Sequence, residues 1–179
     1  MTDPDVLLVF CRSVIFGAVL MLWGATAFRW RLFPKSPRLR FEACATITLV
    51  AGIVVLLPVQ VARITGDWTN AFDTAAIQDV IGFTKAGTAW ALQAIAALGL
   101  VGAFALSSEG ATLVFASVIL IAQSMTGHAA ASDGLYGLLR QANDILHLMA
   151  AGAWLGALPY VLMLLPRLGT PETNGVLVR

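Results

Sequence analysis

Residues 6–28 read VLLVFCRSVIFGAVLMLWGATAF, an apolar run of 23 residues that contains a single charged residue, Arg12. As a helix, this run would be about 35 Å long, which is enough to cross the roughly 30 Å hydrocarbon core of a bilayer. Asp3 and Asp5 precede the run where a signal peptide has basic residues, and basic residues follow it. We therefore expect a transmembrane helix rather than a cleaved leader.

The composition extends this pattern to the whole chain. Of its 179 residues, 59% are hydrophobic and 12% are charged, whereas an average soluble domain is about 45–50% apolar and about 25% charged. We predict an all-α, polytopic transmembrane helix bundle that forms one domain over residues 1–179, embedded in the lipid bilayer. Its five predicted spans are residues 6–28, 41–61, 87–106, 111–127 and 145–165.

The segment RWRLFPKSPRLR, residues 29–40, determines the predicted orientation. It holds five Arg and Lys residues and no acid, and short loops with such an excess of positive charge stay in the cytoplasm. The N-terminus and the connections at residues 65–86 and 129–142 are therefore predicted to lie outside. Within the first of these connections, apolar residues at helical spacing over residues 70–84 predict an amphipathic helix on the outer membrane surface.

The two histidines of the chain, His128 and His147, flank the predicted connection between the fourth and fifth spans. If these spans are antiparallel neighbours, both imidazoles lie within about 6 Å of the same depth. Met125 and Asp144 each precede a histidine by three residues, and so share its helical face. Imidazole and thioether suit copper, and a carboxylate can help to hold Cu(II). The four residues predict a copper site at the outer face.

Several residues of this region also have a purely structural interpretation. Asp144 is a suitable N-cap for the fifth span, and Met125 is an ordinary packing residue. Trp154 either forms a wall of the site or fills the core. Gly152 and Gly156 form a GxxxG motif, for which close helix packing is the preferred interpretation.

Two segments carry a family resemblance: TGHAAA at residues 126–131 and DILHLMAAGAWLGALP at residues 144–159. They resemble the copper resistance D family of bacterial inner-membrane proteins, in which a TGHA-like helix end precedes D-x-L-H-L-x-A-x-x-x-W-x-G-x-L-P. FTKAGTAWALQ at residues 83–93 is a looser match. The resemblance implies copper handling, commonly copper uptake, alongside a periplasmic copper-binding protein, and it places His128, His147 and Trp154 at signature positions. Because family members continue for several more helices, it implies a fragment or a shortened relative.

We therefore predict a copper-binding or copper-transport protein of the bacterial inner membrane. Two alternatives stay open: a b-type cytochrome in which the histidine pair ligates haem, and a structural or assembly subunit without metal. No nucleophile–base arrangement, HExxH or phosphate loop occurs in the sequence, so an enzyme is not expected. A formal net charge of +1 gives no reason to expect nucleic acid. Association with a second copy or with another membrane subunit is also expected.

Overall fold

The computed structural model describes residues 3–32, 38–126 and 134–165, and the regular secondary structure in these ranges is helical throughout. This confirms the predicted all-α class. A short 3-10 turn, Trp68–Asn70, separates the second and third helices. The described ranges contain six α-helices: α1 (Pro4–Leu32), α2 (Arg40–Thr65), α3 (Thr74–Phe83), α4 (Lys85–Ala105), α5 (Glu109–Ser124) and α6 (Gly134–Leu164).

Four of the described helices, α1, α2, α4 and α6, are long and apolar enough to cross a membrane. The fourth predicted span, residues 111–127, corresponds to α5, an apolar helix of 16 residues. Its length of about 24 Å is less than the roughly 30 Å core of a bilayer. The bundle therefore combines four full-length spans with one shorter apolar helix.

Helix α6 starts well before the predicted fifth span, residues 145–165. The helix begins at Gly134 rather than at residue 145, and Gly134 itself has a φ of 70°, in the left-handed region that glycine tolerates. The polar residues around Arg140 interrupt the apolar pattern, so hydropathy predicts that the span begins after them. Leu, Arg and Gln are nevertheless strong helix formers, and the helix therefore includes this polar stretch. Asp144 consequently lies in the interior of α6, and its interpretation as an N-cap is wrong.

The helix predicted at residues 70–84 forms as α3. Its N-cap is Asp73, whose carboxylate accepts a hydrogen bond from the backbone N–H of Ala76 at 2.8 Å. A Cβ on Gly87 would lie 2.0 Å from the carbonyl oxygen of Val80, so the tight turn from α3 into α4 requires glycine at that position. The placement of α3 on the membrane surface stays a prediction.

Helix α1 is the centre of the bundle, because it packs against α2, α5 and α6. Helices α1 and α6 run in parallel and approach closely through glycines. A Cβ on Gly24 would lie 1.8 Å from the carbonyl oxygen of Gly152, and a Cβ on Gly156 would lie 2.2 Å from the backbone nitrogen of Ala25. The GxxxG motif of α6 therefore lies at its contact with α1. The fully buried side chains of the core include Ile15, Val19, Leu22, Leu49, Leu100, Ile119 and Leu120.

Candidate functional site

The four predicted copper ligands are distributed over three parts of the chain. His128 lies outside the described residues. Met125 is the half-buried C-cap residue of α5. Asp144 is half-buried and His147 is exposed, and both lie in α6.

Helices α5 and α6 meet near Met125. There, the Gln141 side-chain amide donates to the hydroxyl of Ser124 at 3.4 Å. Asp144 and His147 follow Gln141 by three and six residues, a rise of about 4.5 and 9 Å along α6. Met125 therefore lies close to the level of Gln141, whereas His147 lies about 9 Å farther along α6, toward the C-terminal end of that helix. Among the residues that the structure describes, no group of three or more His, Cys, Asp or Glu side chains could hold a metal.

Trp154 and the two glycines of the GxxxG motif, Gly152 and Gly156, lie on different faces of α6. The Trp154 side chain is 68% exposed, so it does not fill the core of the described bundle. It follows His147 by two helical turns on the exposed stripe. Gly152 and Gly156 are buried on the face that contacts α1.

A buried polar network, which sequence reasoning missed, joins four helices at one end of the bundle. Arg29 of α1 and Glu42 of α2 are 2% and 0% exposed. Arg29 Nε lies 3.4 Å from Glu42 Oε1, and Arg29 Nη1 pairs with Glu109 of α5. The hydroxyl of Tyr160 in α6 donates to Glu42 Oε2 at 2.9 Å. We call these four residues the ion-pair cluster and the end of the bundle where they lie the basic end.

The helix termini explain why these charges meet. Glu42 lies in the first turn of α2, and its Oε2 accepts the backbone N–H of Leu39 at 2.7 Å. Glu109 begins α5, and Arg29 lies in the last turn of α1. Acids are favourable at helix N-termini and bases at C-termini. Because a buried charge is costly unless it is paired, the pairing also accounts for the burial of Glu42.

Arg38 connects α4 to this end of the bundle. Its guanidinium carbon lies 4.2 Å from the ring centroid of Phe104, and it donates to the Phe104 carbonyl and, at 3.3 Å, to the hydroxyl of Thr112. Burial, and secondarily the positive charge of Arg29, lower the pKa of Arg38. Arg38 therefore ties the segment before α2 to the end of α4 and the start of α5.

One signal in the sequence could have identified part of the cluster. Glu42 is an acid just inside the second predicted span, residues 41–61, and an ionisable residue within a membrane segment needs a partner. In the sequence, Arg29 indicates only the orientation of the chain in the membrane, as one of the five basic residues at positions 29–40. Its pairing depends on the packing of α1 against α2, which no local pattern encodes.

The chain matches one family model. Residues 1–138 match the model described as copper resistance protein D-like, N-terminal domain. The match covers α1 to α5 and includes Met125 and His128. Asp144, His147 and Trp154 lie beyond it.

Three curated proteins are similar to this chain at low identity. It is 28% identical to the copper transport protein CutJ of Bacillus subtilis over 176 residues, which cover 87% of this chain and 32% of that protein. It is 29% identical to copper resistance protein D of Pseudomonas syringae pv. tomato, covering 93% and 58%, and 28% identical to the inner membrane protein YebZ of Escherichia coli, covering 84% and 55%. The chain therefore spans about a third to three-fifths of these relatives. No solved structure matches it.

Proposed function

Because this chain belongs to the family of copper resistance protein D-like N-terminal domains, we propose that it binds or transports copper in the bacterial inner membrane. The family match over residues 1–138, which include five of the six described helices, is the observation that carries this proposal. The four candidate spans support a multi-pass membrane location. The names of the relatives refer to copper transport, copper resistance and the inner membrane, and they support the proposed metal and the proposed location.

We place the copper, as cargo, at the outer end of α5 and α6. His128 and His147 are the proposed principal ligands, with Met125 and Asp144 as further ligands. Met125 is half-buried at the C-terminal end of α5, and His147 is exposed on the surface of the described bundle, so neither side chain is enclosed by the packing of the described helices. The helical position of Asp144, one turn before His147, supports a role beside the imidazole, because a carboxylate at that spacing can orient a ligating histidine.

The proposed orientation places the basic end in the cytoplasm and the N-terminus outside. Arg31 and Arg40, at the end of α1 and the start of α2, are exposed there, as the excess of positive charge on cytoplasmic loops requires. A periplasmic copper-binding protein is then the proposed source of the metal. A second copy or another membrane subunit is a further proposed partner. The proposed role is binding or transport rather than catalysis.

The test is copper stoichiometry on the purified full chain. We expect about one copper per chain after loading, no Soret band in the visible spectrum, and loss of the copper in the His128→Ala, His147→Ala double variant, since imidazoles supply its main ligands. Asn143→Ala is the matched control, because Asn143 is exposed in α6 immediately before Asp144. Copper retained by the double variant would overturn the proposed ligands.

Two further outcomes of the same measurement identify the alternatives. A Soret band that the double variant lacks would assign the two histidines to a haem instead. A chain that takes up neither copper nor haem, and that purifies with a stable partner, would be a structural subunit.

A further inference from the structure

An apolar groove of about 500 Å³ lies between α2 and α4 at the surface of the bundle. Thr46 contributes a polar side chain to its wall, but that hydroxyl donates to the carbonyl oxygen of Glu42 at 2.8 Å. The groove therefore presents an apolar surface to its surroundings. Its main lining residues are Ala43, Ile47 and Ala51 of α2 with Val101, Phe104 and Ala105 of α4.

Two arginines lie where the groove meets the basic end. Arg40 is the first residue of α2 and is exposed. It shares a helical stripe with the lining residues Ala43 and Ile47, at spacings of three and seven. The guanidinium carbon of Arg38 lies 4.2 Å from the ring centroid of Phe104, and Phe104 forms part of the opposite wall. The groove thus ends at the level of two arginines, one at the ring of Phe104 and one in line with the α2 wall.

We propose that the groove binds an anionic phospholipid, with an acyl chain along α2 and α4 and the phosphate beside Arg38 and Arg40. From Ala43 to Ala51, the groove follows α2 for about 12 Å. This is close to the roughly 15 Å of hydrocarbon in one leaflet. Arginine recognises phosphate through parallel hydrogen bonds, and basic pockets between helices at the membrane boundary bind anionic headgroups.

The extent of the groove favours a lipid over another helix. A transmembrane helix packs along a seam that crosses the whole bilayer. The groove, however, is lined no farther than Ala51 on α2 and Val101 on α4. The depression is thus confined to the leaflet that contains the two arginines.

Native mass spectrometry of the detergent-purified full chain tests this site, with dioleoyl phosphatidylglycerol and dioleoyl phosphatidylcholine as probes. We expect the wild type to retain phosphatidylglycerol preferentially. Arg40→Gln should reduce that preference about fivefold, whereas Arg31→Gln, at the exposed end of α1, should not. Ala51→Trp should fill the groove and reduce the retention of both lipids. Val114→Trp, on the exposed face of α5, is its control.

Equal retention of the two lipids by the wild type would overturn the proposal. So would unchanged retention in a folded Ala51→Trp variant. A cross-link from Ile47→Cys to a second copy of the chain, in place of bound lipid, would overturn it as well. The Arg40→Gln comparison holds even if Ala51→Trp does not fold, because Arg40 is exposed at a helix end.

Discussion

The hydroxyl of Tyr160 donates a hydrogen bond to Glu42 Oε2 over 2.9 Å, although the two residues are 118 positions apart in the chain. Glu42 is fully buried, and the same oxygen also accepts the backbone N–H of Leu39. The bond therefore fastens the C-terminal part of α6 to the start of α2. It also stabilises a carboxylate that has no contact with solvent.

Replacing Tyr160 with Phe should destabilise the protein by about 1.5–3 kcal/mol, because a hydrogen bond to a charged, buried acceptor is lost. Thermal unfolding in detergent, followed by tryptophan fluorescence, measures the effect as a lower Tm. Tyr136→Phe is the matched control, since Tyr136 lies in the same helix and is 68% exposed. Equal Tm values for the two variants would contradict the proposed importance of the bond.

Replacing Arg29 with Gln should be more damaging, at about 3–5 kcal/mol, because it leaves buried Glu42 without its cation. We expect poor recovery of monodisperse protein and a strongly lowered Tm, whereas Arg31→Gln, in the exposed last turn of α1, should behave like the wild type. The double variant Arg29→Gln, Glu42→Gln should recover part of the loss, because it removes both charges. A double variant that is as unstable as the sum of its two single variants would exclude coupling between these residues.

Replacing Gly24 with Ala should separate α1 from α6, since the new Cβ would lie 1.8 Å from a backbone oxygen of Gly152. Overpacking of this kind costs about 1–3 kcal/mol, measured as a lower Tm. Gly17→Ala is the control in the same helix, because a Cβ at that position meets nothing within 4 Å. Alanine is also the better helix former, so Gly17→Ala should be neutral or stabilising. A neutral Gly24→Ala variant would show that the two helices are not in close contact.

Replacing Asp73 with Ala should loosen the first turn of α3, because the carboxylate that accepts the Ala76 N–H is removed. The loss of an N-cap costs about 1 kcal/mol, which corresponds to roughly fivefold faster amide hydrogen exchange in that turn. Hydrogen exchange with mass spectrometry measures this change. Asp79→Ala, in the exposed middle of the same helix, should leave the exchange unchanged. Equal exchange in both variants would mean that the cap does not hold α3.

The helices themselves could be predicted from sequence, because apolar runs longer than a bilayer is thick admit few other interpretations. The bounds of α6 could not. The hydropathy of Arg140 to Asp144 suggests a connection, whereas the backbone there continues as a helix. In this stretch, intrinsic helix propensity prevails over polarity.

The candidate site was partly predictable for a similar reason. Spacing along a helix places Asp144 beside His147, and the structure retains that local relationship. The ion-pair cluster depends instead on which helices pack together, since Arg29, Glu42, Glu109 and Tyr160 come from four separate helices. Complementary charges at the helix ends are visible in the sequence, but the pairing between them is not.

The length of α6 has a consequence for the proposed copper ligands. Its 31 residues span about 46 Å, about 16 Å more than the roughly 30 Å hydrocarbon core, so the helix must tilt or project from the bilayer. The bond from Tyr160 to Glu42 anchors one end, which leaves the excess length at the other. Counting about 30 Å back from Tyr160 reaches Arg140, a charged residue suited to the opposite boundary. The position of His147 relative to the basic end is therefore fixed by an anchor almost four turns away along its own helix.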